Sequence, residues 1–435
     1  AGMVKKYRLF AWSLSYFSAK VRAYMRYKEF HGALEYEEIL ATLDLKENFL
    51  KPATGTNVVP QVQSPDGDWL QDSSEIIDIL EARHPDAPII PTGPRQRLVS
   101  YLIELLADEW MLPWGFWERW HYSLKDVKPN HEAYNALQWG ILFNPEGTGT
   151  ERLEAGRFVF KEFMKIDNPT EAEMGPFAGL LQLGVTEKTE EAWTKSMRNM
   201  LSLLEAHFDI HDYVLGGRPT LADFALMGPL YPHLYKDPVP GFMMRTEFPL
   251  VCEWIERTNG SDEASARSYK QTNYKLVDGE LVGQGVGRNG GELLPDDQVP
   301  DTLLPLLSVF FDEMWPALKL NIATVTNYIA KASLEKGASL PGKSFYSPVE
   351  FAALQSKGGS LNYEFEIGGV SETKMASPYQ IWMLQRLNSA IGDDKQKGAL
   401  VDLLAKFRDG ASLLNLDQDL KGCLVRKQFE QILVD

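Results

Sequence analysis

The chain has 435 residues, with 60 acidic against 44 basic side chains, a formal net charge of −16 and a pI near 5.0. That charge disfavours nucleic acid and anionic membrane surfaces as partners, because nothing steers the chain toward negative charge. Apolar residues make up 44% and no apolar run reaches transmembrane length, so a soluble globular protein is expected, too long for one ordinary core and divided into two or three domains. The two cysteines, Cys252 and Cys423, both fall in segments that read as helix. This pattern offers neither a disulfide framework nor a cysteine metal cluster, and points to a reducing compartment. With a first strand at Tyr7 leaving no room for a secretory signal, a cytoplasmic location is expected.

Tyr7 to Phe30, YRLFAWSLSYFSAKVRAYMRYKEF, reads as a strand, a polar loop and the start of a helix. Tyr7 to Trp12 is short and rich in aromatic and apolar residues, as in a buried strand. Ser13, Ser15 and Ser18 interrupt the apolar run. Val21, Tyr24, Met25 and Lys28 then recur at helical spacing. Hydroxyls at such a turn sit beside free backbone N–H groups and the positive end of a helix dipole. That is a place to hold an anion or to favour a thiolate. On this stretch alone a second reading stands beside it: Ser18 is an N-cap and Ser15 a turn residue.

Leu34 to Thr42 predicts a second strand and Asp44 to Leu50 a short helix. Asn57 to Val62 is a strand interrupted by Pro60, and Val59–Pro60 is a candidate cis bond. Asp66-Gly67 signals a hairpin turn, with Trp69 to Gln71 as the returning strand. Asp72-Ser73-Ser74-Glu75 opens an apolar-periodic helix through Leu80.

Three segments in this order carry a resemblance: SYFSAKVR at Ser15 to Arg22, Val59-Pro60, and QDSSEIIDILEARHP at Gln71 to Pro85. Through them Tyr7–Pro85 resembles the N-terminal, thioredoxin-like domain of the glutathione transferase superfamily. A proline-rich linker follows at 86–94. From Arg95 the pattern turns helical. Leu98, Tyr101, Leu102, Leu105, Leu106 and Trp110 predict one helix, which meets Pro113 in DEWMLPWGFWERWHY, a stretch with four tryptophans. Helices are predicted near Ala155 to Met164 and Glu190 to Phe208. Thr220 and Asp223 fit an N-cap with an acidic partner, opening a buried helix over Phe224 to Leu230. In the superfamily such a box starts a helix of the all-α domain and serves folding. The resemblance extends from Tyr7 to Thr258.

Beyond it, Tyr274 to Val286 predicts a hairpin with Asp278-Gly279 at the turn. Gly285-x-Gly287-x-x-Gly290 matches a dinucleotide fingerprint in letters only; no helix follows, and it reads as a loop. Thr302 to Ala332 is a long helical stretch, bent or broken near Pro316. Leu361 to Ile367 alternates like a strand. Pro378 to Ile391, Lys397 to Phe407 and Leu420 to Leu433 read as helices. The expected fold is an α/β thioredoxin-like domain (1–87), an all-α glutathione-transferase domain (95–260) and a further mostly α-helical C-terminal domain (272–435).

The resemblance implies a glutathione-dependent transferase. A free thiol has a pKa of about 8.5, and its thiolate is the nucleophile. Ser15 matches the hydroxyl of the serine-dependent classes, where it donates a hydrogen bond to the thiolate; Ser18 is the competing residue, with a helix-cap role expected for it. The loop has no cysteine, which disfavours mixed-disulfide chemistry. The implied glutathione site comprises Ser15, Tyr16, Phe17, Ser18, Val59, Pro60, Asp72 and Ser73. Val59 pairs through its backbone with the cysteinyl part, and Asp72 and Ser73 hold the γ-glutamyl end. Relatives place a basic residue before Val-Pro for the glycyl carboxylate; here Val58 stands there, with Lys51 or Asn57 as substitutes. Trp110, Trp114, Trp117 and His121 are candidates for the acceptor site, although each of the tryptophans, with Trp120, suits plain packing better. His207 and His211 have i, i+4 spacing but no third ligand, and read as helix-end residues. Glutathione as substrate or cosubstrate, no metal, a small electrophile as acceptor, no nucleic acid or membrane partner, and a homodimer complete the expectation. The alternatives are a non-enzymatic binding or interaction protein of the same fold, and a glutathione-dependent isomerase or peroxidase.

Overall fold

The computed structural model describes residues 6–168, 175–260, 274–284, 288–342 and 359–435. Two compact units form, each from two separate stretches of chain: 1–108 with 200–306, and 109–199 with 307–435.

The first unit is built on a four-stranded mixed sheet of order β2-β1-β3-β4. Strand β1 (Tyr7–Ala11) pairs parallel with β2 (Tyr36–Leu40), Tyr7 opposite Tyr36, and antiparallel with β3 (Gln61–Gln63), Leu9 opposite Val62; β3 pairs antiparallel with β4 (Trp69–Gln71). β1 is central, which is why its residues read as a nearly continuous apolar run. Helix α1 (Tyr16–Phe30) is buried along most of its length. The short helices α2 (Leu43–Leu45) and α3 (Lys51–Thr54) are joined by the wider turn Lys46–Leu50. Helix α4 (Ser73–Arg83) follows β4, and α5 (Pro94–Leu105) begins after the linker. The mixed sheet with its helices is the thioredoxin-like domain expected.

The rest of this unit is helical where it resembles a transferase. Helix α11 (Leu221–Gly228) is buried throughout, as its apolar sequence predicts. Thr220 and Asp223 form the capping box: the Thr220 N–H donates to Asp223 at 2.9 Å, and the Val214 N–H and Trp254 Nε1 donate at 3.0 and 2.9 Å. Burial pushes the Asp223 carboxyl up to about 6, against these donors. His207 is buried, with Nδ1 2.7 Å from Thr302 Oγ1 and Nε2 3.0 Å from the Tyr213 carbonyl; burial lowers its pKa to about 4. Strands β5 (Tyr274–Val277) and β6 (Glu280–Gly283) form the predicted hairpin. Asp278 (φ 52°) and Gly279 (φ 81°) both take positive φ, as a tight hairpin turn requires. Gly285 and Gly287 lie outside the described residues.

In the second unit, helix α6 (Leu112–His121) carries the tryptophans. Helices α7 (Glu132–Phe143) and α8 (Gly149–Glu162) form an antiparallel pair; α7 was not foreseen. Helix α9 (Pro176–Gln182) leads to α10 (Glu190–Ile210). Past residue 307 the predicted helical stretch is continuous: a wide turn, Phe310–Met314, runs directly into α12 (Trp315–Lys331), and Pro316 stands where the hydrogen-bond register widens rather than at a break. Strand β8 (Asn362–Ile367) meets β9 (Val370–Met375) in an antiparallel hairpin, and α13 (Pro378–Ile391) has the predicted bounds. A further expectation fails in this unit. Leu420 to Leu433 is not a helix: β10 (Val425–Gln428) and β11 (Gln431–Val434) form a hairpin turning at Phe429, whose φ is 51°. β11 also pairs with β7 (Ser339–Leu340), a partner that a local pattern cannot reveal. No described helix is long and apolar enough to cross a membrane.

Candidate functional site

The turn between β1 and α1 is braced by its serines. The Ser15 N–H donates to the Trp12 carbonyl at 3.1 Å. Ser15 is the N-cap of α1, its Oγ accepting the Ser18 N–H at 3.3 Å. Ser18 is fully buried, and its Oγ accepts the Trp12 N–H at 3.4 Å. The cap role expected for Ser18 therefore belongs to Ser15. The reason is register: Ser18 lies one turn inside the helix and points back into the loop. Arg22 adds a third brace, donating to the Trp12 carbonyl at 3.3 Å while its Nε holds Glu38 at 2.6 Å. A hydroxyl oxygen that accepts a backbone N–H still has its own proton to donate. Ser15 is half-buried, at the positive end of α1.

Tyr16 is buried and its hydroxyl donates to the Ala107 carbonyl. Its ring lies 5.2 Å from that of His233 and packs on Gly228, where an added Cβ would come within 2.7 Å of the ring. Phe17 is half-buried, its ring 4.8 Å from Tyr16.

The Val59–Pro60 bond is cis. Val59 packs against the cluster of Phe10, Ala41 and Leu50. Gln61, not singled out from sequence, braces this loop: its Nε2 donates to the carbonyls of Thr56 and Val58, both at 2.9 Å, and its Oε1 accepts from Thr54 at 3.0 Å.

Asp72 caps α4, its Oδ1 accepting the N–H groups of Ser74 at 3.0 Å and Glu75 at 3.1 Å. Asp72 adopts φ 77°, the left-handed region that a non-glycine residue occupies only where its surroundings enforce it. Ser73 is buried, and its Oγ finds no hydrogen-bond partner among the described residues. A buried hydroxyl in that state is suited to an incoming polar group.

Of the substitutes for a glycyl-binding cation, Asn57 donates to Glu47 at 2.7 Å and Lys51 lies 3.5 Å from the same carboxylate. Asn57, with Lys51, holds Glu47 below the usual carboxylate range. Lys46, in the same helical stretch, is half-buried, and desolvation pushes its ammonium pKa down.

Beneath the site is a buried ionic cluster that sequence reading missed. Lys20 Nζ lies 2.9 Å from Ser74 Oγ, 3.0 Å from Glu104 and 2.7 Å from Asp108. All four residues are at most 1% exposed. Lys20 is five positions after Ser15 and Ser74 adjoins Ser73, so the cluster ties the two halves of the site together. Lys20 reads from sequence as one more helical lysine, because its partners arrive from α4, from α5 and from the turn after α5, far along the chain.

The acceptor-site candidates belong to the second unit. Trp110 is buried, its ring 4.8 Å from Trp193 and 6.1 Å from Phe365, and its Nε1 donates to Glu313 at 3.0 Å. Trp114 is buried and donates to Thr194 at 3.2 Å; Trp117 donates to Glu190 at 3.2 Å and stacks on His121 at 4.3 Å. Desolvation lowers the His121 pKa. Trp110, Trp114 and Trp117 thus all meet α10. Trp120 points elsewhere, into a cluster with Ala136, Phe160 and Ile166.

Residues 9–88 match the family model for the glutathione S-transferase N-terminal domain, and residues 169–262 that for the C-terminal domain. In these two regions the chain is similar to the glutathione S-transferase superfamily. No family is assigned beyond residue 262 of this transferase-related chain. A search of curated protein sequences found no match. Among solved structures, a glutathione S-transferase from Rhodospirillum rubrum F11 is 16% identical, covering 61% of this chain and 93% of its own, with a TM-score of 0.36. The beta-etherase LigF of Sphingobium sp. strain SYK-6 is 17% identical, with 59% and 96% covered and a TM-score of 0.37. A glutathione S-transferase from Methylobacterium radiotolerans, in complex with glutathione sulfonate, is 19% identical, with 62% and 98% covered and a TM-score of 0.32. The matched stretch 9–88 contains every residue of the expected glutathione site, from Ser15 to Ser73.

Proposed function

We propose that this protein binds reduced glutathione in its first unit and directs the thiolate at a small electrophile. The observation that carries the reading is the Ser15 hydroxyl at the N-terminus of α1, fixed by the Ser18 N–H at 3.3 Å and left with a proton to donate. A hydrogen bond to the charged sulfur and the helix N-terminus both favour thiolate over thiol. The sulfur forms a bond to the electrophilic carbon, and either a leaving group departs with the electron pair or the resulting carbanion takes a proton. The Val59 backbone, ahead of Pro60, receives the cysteinyl part. Asp72 and the orphaned Ser73 hydroxyl receive the γ-glutamyl end, with Lys51 or Asn57 for the glycyl carboxylate. The homodimer expected from the resemblance belongs to the same proposal and is checked by light scattering.

The test is a titration of the glutathione thiol bound to wild-type and Ser15→Ala protein. A thiol pKa that is lowered in the wild type and returns toward about 8.5 in the variant supports the reading. An unchanged pKa removes Ser15 from the mechanism, and no binding at millimolar glutathione sinks the proposal altogether.

A second reading has one observation in its favour. Trp110 and Trp114 are buried core residues of the second unit, so two of the implied acceptor-site walls are occupied by packing. A glutathione-binding protein without transfer chemistry would bind glutathione with a lowered thiol pKa and still fail to turn over a panel of chlorinated, enone and hydroperoxide substrates.

A further inference from the structure

The helical half of the first unit brings a cation to the loop that carries Ser15. Lys236 follows the wide helical turn Pro229–Tyr235. Its Nζ donates to Ser13 Oγ and lies 5.6 Å from the centre of the Tyr231 ring. Ser13 is inside the turn that the Ser15 N–H closes onto the Trp12 carbonyl at 3.1 Å, so the ammonium is anchored two residues from Ser15. The same two segments are pinned by the Tyr16 ring, which sits on Gly228 and against His233. Other charged groups nearby are Asp237, Arg245 and Glu256. Asp237 is buried, Arg245 donates to the carbonyls of Tyr235 and Gly241, and Glu256 accepts from the Tyr235 hydroxyl.

We propose that Lys236 is a positioning residue of the thiolate pocket: tethered to Ser13, its ammonium adds a full positive charge to the partial one at the start of α1 and helps hold the glutathione sulfur ionised beside Ser15. The inference rests on the glutathione-binding reading above. The physical case is one of magnitude. A helix N-terminus presents only about half a charge, and a serine hydroxyl is a neutral donor. The loop from Trp12 to Ser18 contains no basic residue, and Arg22, which donates to its Trp12 carbonyl at 3.3 Å, is paired with Glu38 at 2.6 Å. An opposite charge within several ångströms lowers a thiol's pKa by about one unit or more. Ser13 has an evident role in this arrangement, as the acceptor that fixes a flexible lysine stem where its charge is useful.

The test titrates the bound thiol through thiolate ultraviolet absorbance in wild type, Lys236→Gln, Lys236→Arg and Ser13→Ala, each first shown by calorimetry to be saturated with glutathione. The expected result is a thiol pKa raised by about one unit in Lys236→Gln, largely restored in Lys236→Arg, and raised by less in Ser13→Ala. A purely structural role would not track charge in this way. The same thiol pKa in Lys236→Gln as in wild type, with glutathione bound to both, overturns the inference. Should Lys236→Gln fail to fold, Ser13→Ala decides: a rise supports it and an unchanged value overturns it. Failure of wild type to bind glutathione appears in the calorimetry, before any titration, and overturns the parent reading and this inference with it.

Discussion

The Ser18 N–H donates to the Ser15 hydroxyl at 3.3 Å while the Ser18 hydroxyl takes the Trp12 N–H at 3.4 Å, so two serines of one loop hold opposite sides of it. Ser15 is half-buried, and the fully buried Ser18 keeps the loop closed.

That division separates the two substitutions. Ser15→Ala removes a cap and costs about 1 kcal/mol of stability. Ser18→Ala removes a buried hydrogen bond to the Trp12 N–H and costs about 1–3 kcal/mol. Urea denaturation should therefore show Ser18→Ala as the less stable variant, whereas glutathione thiol titration should single out Ser15→Ala. The opposite ranking in both measurements would reverse the assignment of roles.

Lys20 faces Glu104 and Asp108 where all three are buried. Lys20→Met leaves two carboxylates without their cation, and destabilisation of about 3–5 kcal/mol is expected from the denaturation midpoint. Because Ser74 loses its anchor next to Ser73, glutathione affinity should fall in any fraction that still folds. A variant as stable as wild type would show that the cluster carries no such charge balance.

Asp297 provides the cap that α5 lacks. Gly93 precedes Pro94 without a side chain, and the Asp297 carboxylate accepts the N–H groups of Arg95 at 2.8 Å and Gln96 at 3.0 Å from two hundred residues away. A Cβ on Gly93 would lie 2.1 Å from Asp297 Oδ1, so glycine is what admits the carboxylate. Asp297→Ala should cost about 1 kcal/mol, and Asp297→Asn less, in thermal or urea unfolding.

Lys374 gives the second unit a pH dependence. It is buried, 3.1 Å from the Leu183 carbonyl and 5.9 Å from the Trp110 ring, and desolvation lowers its pKa to about 8, with Glu109 opposing. In the unfolded chain a lysine titrates near 10.4, so between these values the unfolded state binds more protons. Stability should rise as pH increases from about 8 to about 10, by on the order of 3 kcal/mol if this group acts alone. Denaturation of wild type and Lys374→Met across that window tests it; a slope that persists in the variant assigns it to another group.

Much of the fold is legible because its signals are local. The apolar strand Tyr7–Ala11, the Asp72-to-Glu75 helix start, the capping box at Thr220 and Asp223, the Asp278-Gly279 turn and the bounds Pro378–Ile391 each depend on neighbours in sequence. The C-terminal hairpin reads locally as a helix because its decisive partner, β7, lies some ninety residues away. At the candidate site the residue types were legible and their division of labour was not. Nothing in SYFS says which hydroxyl faces inward, since that depends on where α1 begins relative to the Trp12 carbonyl.

What the sequence determined alone was local preference: apolar residues for a central strand, serines for a helix start, Val-Pro for a bent strand entry, and tryptophans for a packed helical surface. Short-range sterics and hydrogen bonding act within a few residues, so these survive without the rest of the chain. The tertiary structure decided everything requiring long-range meeting. It joined Lys20 to Glu104 and Asp108, Asp297 to the start of α5, Lys236 to Ser13, and Trp110 to Trp193 and Phe365. Buried charges and unsatisfied helix ends are costly until such partners arrive, and only the folded chain brings them within hydrogen-bond distance.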